Sequence, residues 1–255
     1  MTRSAVRVHP RLALVIDLVL LLIVWHVAAV LLDKSFLPQP GAVLREFWSE
    51  LSSGPLLGHT WASLRRILTS VAAGAFTAAP LAVLAAENRL LDSFVSPFMN
   101  FFYPTPKIVF LPVIVFLLGL GDPSILFLLS LIVFFQVYVI VRDAVARVPQ
   151  ATLDSVASLG ATGRHRLRYV YAPLSISAVL TALKVSIGTA IAVLFIAESI
   201  GNNVGLGYYI MVEQWNRFAY TKVYAGVLAI ALLGSVLFQA ISLLDRVVNR
   251  WQDPP

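Results

Sequence analysis

The sequence contains no cysteine, which excludes disulfide frameworks, thiolate metal sites and cysteine nucleophiles. Charge is scarce: 13% of the 255 residues are Asp, Glu, Lys or Arg, against 59% hydrophobic. A soluble domain carries roughly 25% charged residues, so a mean hydropathy of +0.84 makes a bilayer the expected solvent. The histidines are few and scattered, without the clustered His, Asp or Glu that a membrane enzyme or metal centre would need. No catalytic residue and no metal ligand is therefore assigned. There is no G-x4-G-K-[ST] phosphate loop, and no Gly-Lys pair at all, so the chain is not itself an ATP-hydrolysing subunit. Low-complexity tracts, barrel-length strand alternation and a persuasive internal repeat are also missing, which leaves one all-helical domain over residues 1–255.

What is present is a series of apolar stretches. Crossing about 30 Å of hydrocarbon takes about 20 helical residues, because backbone polar groups must be satisfied within the segment. Residues 13–32, 62–86, 93–118, 124–141, 174–197 and 220–244 come close to this length, predicting about six transmembrane helices. The first run is too long for a secretory signal core and is expected to stay as a helix. The third is interrupted by Tyr103-Pro104-Thr105-Pro106; proline removes an amide donor and clashes with the preceding turn, so a kink or break is expected there. The turn Gly119-Leu120-Gly121-Asp122-Pro123 makes the third and fourth spans a tight hairpin.

The formal charge of +6 is spread among connecting segments and not gathered on one soluble face, which argues for membrane orientation over nucleic-acid binding. Arg3, Arg7, Arg11, Arg89, Arg142, Arg147, Arg164, Arg166, Arg168, Arg246 and Arg250 fall on one side. They outnumber Lys34, Arg45, Arg65, Arg66, Arg217 and Lys222 on the other. Short basic loops stay cytoplasmic, so both termini and the 142–172 loop are expected inside. In the outer loop, Val43, Leu44, Phe47, Trp48 and Leu51 recur at helical spacing. That pattern fits either a helix lying on the interface or one packed against the spans.

The cytoplasmic segment 143–173 is long for a connector. Pro149 suits a first helical turn, Leu153, Val156 and Leu159 share a face, and Gly160 can end that helix in a left-handed cap. A second short helix, 164–171, would present Arg164, His165, Arg166 and Arg168 to water or an acidic partner, and Pro173 would mark re-entry into the membrane. A solvated basic loop would look similar in charge, and the residues alone leave both readings open.

The same segment resembles the cytoplasmic E-A-A-x3-G-x9-I-x-L-P loop of binding-protein-dependent ABC importer permeases. Asp154, Ser155 and Val156 stand at the E-A-A positions, Gly160 at the glycine, Val170 at the isoleucine, Ala172 at the leucine and Pro173 at the proline. Within that group the chain is most similar to nitrate/sulfonate/taurine-type permeases. Leu37-Pro38, the segment Thr60 to Arg66, Pro104-Thr105-Pro106 with Leu111-Pro112, Gly119 to Asp122, Ala197-Glu198 and Gly205 to Tyr208 carry this likeness. Where such permeases often have glycines in the second span, Ser70, Ala78 and Ala82 keep the residues small.

The resemblance implies an all-α integral membrane protein of type I ABC importer architecture in the inner membrane. It implies a permease dimer, two separate ATPase subunits that hold the ATP and Mg2+, and an extracytoplasmic solute-binding protein; lipid surrounds the spans. No cofactor is implied on this chain and no nucleic acid. Asp154, Ser155, Gly160, Ala161, Arg164, Arg166, Val170 and Pro173 would then form the ATPase-coupling loop. A small anionic solute would be moved inward, with its identity set largely by the binding protein.

Candidate gate or pathway residues are Tyr103, Pro104, Thr105 and Pro106, because a broken helix exposes carbonyls that need water or protein neighbours. Lys184 and Glu198 join them, sharing a helix face about 21 Å apart along the fifth span. Asp17 and His26 in the first span are expected at an end or at a helix contact. The reading from another class is a stand-alone secondary transporter, for which internal repeats and midplane ionisable relays would be expected.

Overall fold

The computed structural model describes residues 10–250; Arg3 and Arg7 lie outside them. In chain order the helices are α1 (Pro10–Leu32), α2 (Pro40–Ser52), α3 (Leu56–Glu87), α4 (Arg89–Phe102), α5 (Leu111–Leu118), α6 (Asp122–Ala146), α7 (Gln150–Ser158), α8 (Gly163–Arg166), α9 (Ala172–Gly201), α10 (Leu206–Tyr208) and α11 (Tyr220–Val248). A 3-10 turn, Lys107–Phe110, leads into α5, and π-helical turns Leu167–Tyr171 and Tyr209–Trp215 follow α8 and α10. No strand occurs among the described residues.

Among the described residues five helices are long and apolar enough to cross a membrane, six if α4 and the segment Lys107–Leu118, bent by 89° to each other, count as one broken span. The bend falls at residues 103–106, where the two prolines interrupt the third apolar stretch. Arg142 near the end of α6 pairs with Asp92 at the start of α4, whereas Arg66 near the start of α3 pairs with Asp122 and Glu198, and Tyr209 bonds to Glu50. One end of the bundle therefore carries α7 and α8, and the opposite end carries α2, the 119–121 turn and α10.

At the centre stands α6, which packs against α3 on one side and α9 on the other. Its buried residues Leu128, Leu129, Ile132, Val133, Val137, Tyr138 and Val141 face more than one direction, as a helix enclosed by neighbours requires. The crossing with α3 is close because Ser70, Gly74, Ala78 and Ala82 form a buried small-residue stripe at four-residue spacing. A Cβ on Gly74 would stand 2.7 Å from the Ser130 carbonyl oxygen and 2.8 Å from Val133 Cβ. Overpacking of this kind costs about 1–3 kcal/mol, so Gly74→Ala is expected to lower the unfolding midpoint of the detergent-solubilised protein. Gly188→Ala, where the added methyl meets nothing within 4 Å, is expected to leave it in place or raise it; equal midpoints for the two variants would refute the close crossing.

Peripheral elements are held more lightly. On α1, residues from Val15 to Val24 are exposed, Asp17 included, as is His26 further along. Trp25 stacks on Tyr224 of α11 at 5.7 Å between ring centroids. The amphipathic stretch before the second span is a packed helix: α2 buries Val43, Phe47 and Glu50 and lies against α11 and α3, leaving Leu44 and Trp48 exposed.

A short helix over 164–171 was expected before Pro173; α8 covers Gly163–Arg166 and a π-helical turn joins it to α9, so that Gly163–Gly201 is one 39-residue helical stretch with Pro173 in the first turn of α9. The π-helical turn Leu167–Tyr171 lies directly before Pro173. Its wider ring accommodates the missing amide donor and the steric demand of the pyrrolidine.

Candidate functional site

The α7–α8 segment projects from one end of the bundle as a small two-helix knob. Gln150 Nε2 donates to Asp154 Oδ1 at 2.9 Å, and Ser155 Oγ donates to the Ala151 carbonyl at 2.7 Å. These bonds shape α7 from within, and both Asp154 and Ser155 remain exposed. The helix then turns at Gly160, whose φ of +78° is the left-handed conformation that glycine adopts without steric penalty. Gly160 N–H donates to Ala157 O at 2.9 Å and Ala161 N–H to Val156 O at 3.3 Å, which closes α7. The start of α8 is tied by His165, whose Nδ1 lies 3.2 Å from Thr162 N and 2.8 Å from Thr162 Oγ1.

Most of the knob's outer surface has no intramolecular cover. Leu159, beside the Gly160 turn, is 87% exposed, and Tyr169 is 66% exposed. Arg164 and Arg168 are exposed and Arg166 is half-buried, as are Val170 and Pro173 where the segment joins α9. An apolar tip with a basic rim is the composition of a protein-contact patch, a few large apolar anchors surrounded by charge.

The break between α4 and α5 satisfies most of its own backbone groups. Thr105 Oγ1 donates to Phe101 O at 3.2 Å, Thr105 N–H to Phe102 O at 3.1 Å, and Lys107 Nζ to Tyr103 O at 2.5 Å. Tyr103, Thr105 and Pro106 line a cavity of about 410 Å3 against α6 and α9, while Pro104 lies exposed at the bend.

Lys184 and Glu198 do not line a shared space in this conformation. Near the knob end, Lys184 Nζ donates to Asp245 Oδ2 of α11 at 2.5 Å. Glu198 is fully buried at the opposite end. Its carboxylate accepts from Arg66 Nη1 at 2.6 Å, from Ser63 Oγ at 2.9 Å and from the Gly207 amide at 3.0 Å. Arg66 Nε also donates to Asp122 Oδ1 at 2.8 Å, and Nη1 to the Val204 carbonyl at 2.7 Å. One guanidinium thus joins the ends of α3, α6 and α9 and the 202–207 turn.

That turn is held as closely as its glycines allow. Leu206 N–H donates to Ser63 Oγ at 2.9 Å and Gly205 N–H to His59 Nδ1 at 3.0 Å. Gly205 has φ +132°, and a Cβ there would overlap the Glu198 carboxyl group. Nearby, Tyr209 O–H donates to Glu50 at 3.0 Å; burial first, and then the neighbouring Glu50 carboxylate, push this phenol well above its usual pKa and keep it a donor.

Arg66 was expected among the outer loop charges; the structure places it 2% exposed inside the bundle. A signal was available in the sequence. Arg66 repeats the register of Ser63, Ser70 and Gly74 on the face of α3 that packs inward, and Glu198 is an opposite charge at the corresponding end of another span.

The family described as "Binding-protein-dependent transport system inner membrane component" matches residues 78–251. The taurine transport system permease protein TauC of Escherichia coli is 29% identical over 242 residues, covering 91% of this chain and 86% of TauC. The riboflavin transport system permease protein RibX of Chloroflexus aurantiacus is 28% identical over 245 residues, covering 95% of this chain and 91% of RibX. Among solved structures, inward-facing conformations of the MetNI methionine ABC transporter include a chain that superimposes with a TM-score of 0.64 at 21% identity. The match covers 78% of this chain and 99% of that one.

Proposed function

Because the chain belongs to the family of binding-protein-dependent transport-system inner-membrane components, and is thus a multi-pass ABC importer permease, we propose that it carries a small anionic solute into the cytoplasm. Nitrate, sulfonates and taurine exemplify the solute class. The taurine permease of E. coli and the putative aliphatic sulfonates permease of Bacillus subtilis, 25% identical over 233 residues, support that choice. Two copies of the chain form the pathway as one transmembrane domain each, with both termini and the α7–α8 knob cytoplasmic. ATP and Mg2+ are bound and turned over in two separate ATPase subunits, and an extracytoplasmic binding protein delivers solute at the end carrying residues 201–219.

The observation that carries this reading is the knob. Its uncovered Leu159, its basic rim of Arg164 and Arg168, and the half-buried Arg166 offer a contact for a groove in the ATPase. Asp154, Ser155, Gly160 and Ala161 shape that contact, while Val170 and Pro173 tie it to the span. Because α8 runs without interruption into α9, a displacement of the knob moves a whole crossing as a lever. Closure of the ATPase dimer on ATP would then bring the two knobs together and shift the crossings between inward- and outward-facing arrangements. Such a rigid-body switch is driven by nucleotide binding more tightly to one of the two states.

The reading is tested by reconstitution. The purified chain is expected to show no ATP hydrolysis alone. With its cognate ATPase it should form a stable complex whose hydrolysis rises when the loaded binding protein is added. Solute uptake by the purified chain alone, driven by an ion gradient, would overturn the assignment in favour of a secondary transporter.

A further inference from the structure

Among the described residues, four cationic side chains buried or half-buried between the long helices have a carboxylate beside them. Arg66 pairs with Asp122 and Glu198, Arg142 with Asp92, Lys184 with Asp245 and Lys222 with Glu50. Lys107 is different. Among the described residues no carboxylate lies within ion-pair distance of its ammonium. The Nζ donates to the Tyr103 carbonyl and sits 4.8 Å from the Phe135 ring centroid and 5.5 Å from that of Tyr103. A carbonyl dipole and two ring faces lessen the cost of the charge but leave it uncompensated.

Lys107 also lines the open cavity of about 410 Å3 bordered by the break, α6 and α9. Gln136 and Thr189 also line it, and Gln136 Oε1 is buried with no hydrogen-bond partner. Gln136 stands 14 residues into the 25-residue α6 and Thr189 lies 12 residues before the end of α9, so the cavity is near mid-bundle. A lysine without a counter-ion, with the Gln136 carboxamide and the Thr189 hydroxyl beside it as further donors, borders a space of small-molecule size.

We infer that this cavity is an anion-binding station on the translocation path, in which Lys107 is the counter-ion of the solute's acidic group and the Gln136 Nε2 amide and the Thr189 hydroxyl donate to its remaining oxygens. The inference rests on the importer reading above and adds to it that the permease, and not the binding protein alone, recognises negative charge. The break supplies the geometry. By turning the chain 89° at residues 103–106, it brings a lysine of the third crossing over the α6–α9 seam.

The test uses the permease–ATPase complex in lipid nanodiscs, with trifluoromethanesulfonate as an anionic probe observed by 19F NMR. Wild type is expected to broaden the probe signal saturably, and ethanesulfonate should displace it. Lys107→Met should weaken binding by about tenfold or more, the loss expected for one charge-assisted contact. Lys107→Arg should restore most of it, and Gln136→Met should weaken it by a smaller factor. Unchanged binding in Lys107→Met, or no saturable binding by wild type, would overturn the inference. Binding-protein-stimulated ATP hydrolysis, measured on the same samples, keeps the two proposals apart. Hydrolysis without anion binding sinks the station alone, whereas a wild-type complex that does not assemble or hydrolyse sinks the importer reading.

Discussion

Arg66→Met is expected to cost about 3–5 kcal/mol of stability, because it strips a buried carboxylate of its only cation. Glu198 is fully buried, and after the substitution it would keep only Ser63 and the Gly207 amide as partners. Asp122 would lose one of its two arginines, retaining Arg65 at 2.6 Å. The penalty belongs to the stranded charge more than to the lost attraction, so Arg66→Met combined with Glu198→Gln should recover a large part of it. Arg66→Lys should recover little, since a single ammonium cannot reproduce a fork that reaches Asp122, Glu198 and the Val204 carbonyl together. Fluorescence-monitored size exclusion after a temperature series in detergent reads the effect directly. A wild-type midpoint for Arg66→Met would show that the network contributes nothing to stability.

The second large effect concerns assembly and leaves the fold untouched. Arg164→Glu together with Arg166→Glu is expected to abolish co-purification of the ATPase. Mismatched charges in a protein contact cost about 2–5 kcal/mol, or roughly thirtyfold to several thousandfold in affinity. The knob contributes nothing to either buried cluster of the bundle beyond Leu153, Val170 and Tyr171, so the thermal midpoint of the isolated permease should not move. Gly160→Pro should have the same outcome for a different reason: proline is confined to φ near −65° and cannot occupy the +78° turn. Retention of the ATPase by both variants would remove the knob from the contact.

Much of this architecture was legible in the amino-acid pattern, and the reasons are physical. The apolar runs report crossings because hydrocarbon demands about 20 residues of internally satisfied backbone. The break at 103–106 was legible because two prolines flank one residue. The small residues Ser70, Ala78 and Ala82 announced a close helix contact, and at Gly74 between them α3 leaves no room for even a Cβ against α6.

Other features needed three dimensions. The start of α3 lies at Leu56 and not near Ala62, because the added turn is packed on protein and its polar residues give no hydropathy signal. Arg66 read as a loop charge because a one-dimensional count cannot tell a snorkelling arginine from one paired inside the bundle. Pro173 does stand in the first turn of α9, but nothing in composition reveals the π-helical turn that joins it to α8. Lys107 and Gln136 are far apart in sequence, and only the bend brings them to one cavity.

The absence of native cysteine gives the account its most direct measurement. A single Leu159→Cys carries the only thiol in the chain, and a short photo-activated cross-linker attached there can be fired in membranes holding the whole transporter. The predicted result is one adduct, with the ATPase subunit, whose yield changes when ATP is added. Adducts with the solute-binding protein, or labelling of this thiol from outside intact cells, would put the knob on the wrong side of the membrane and contradict the account.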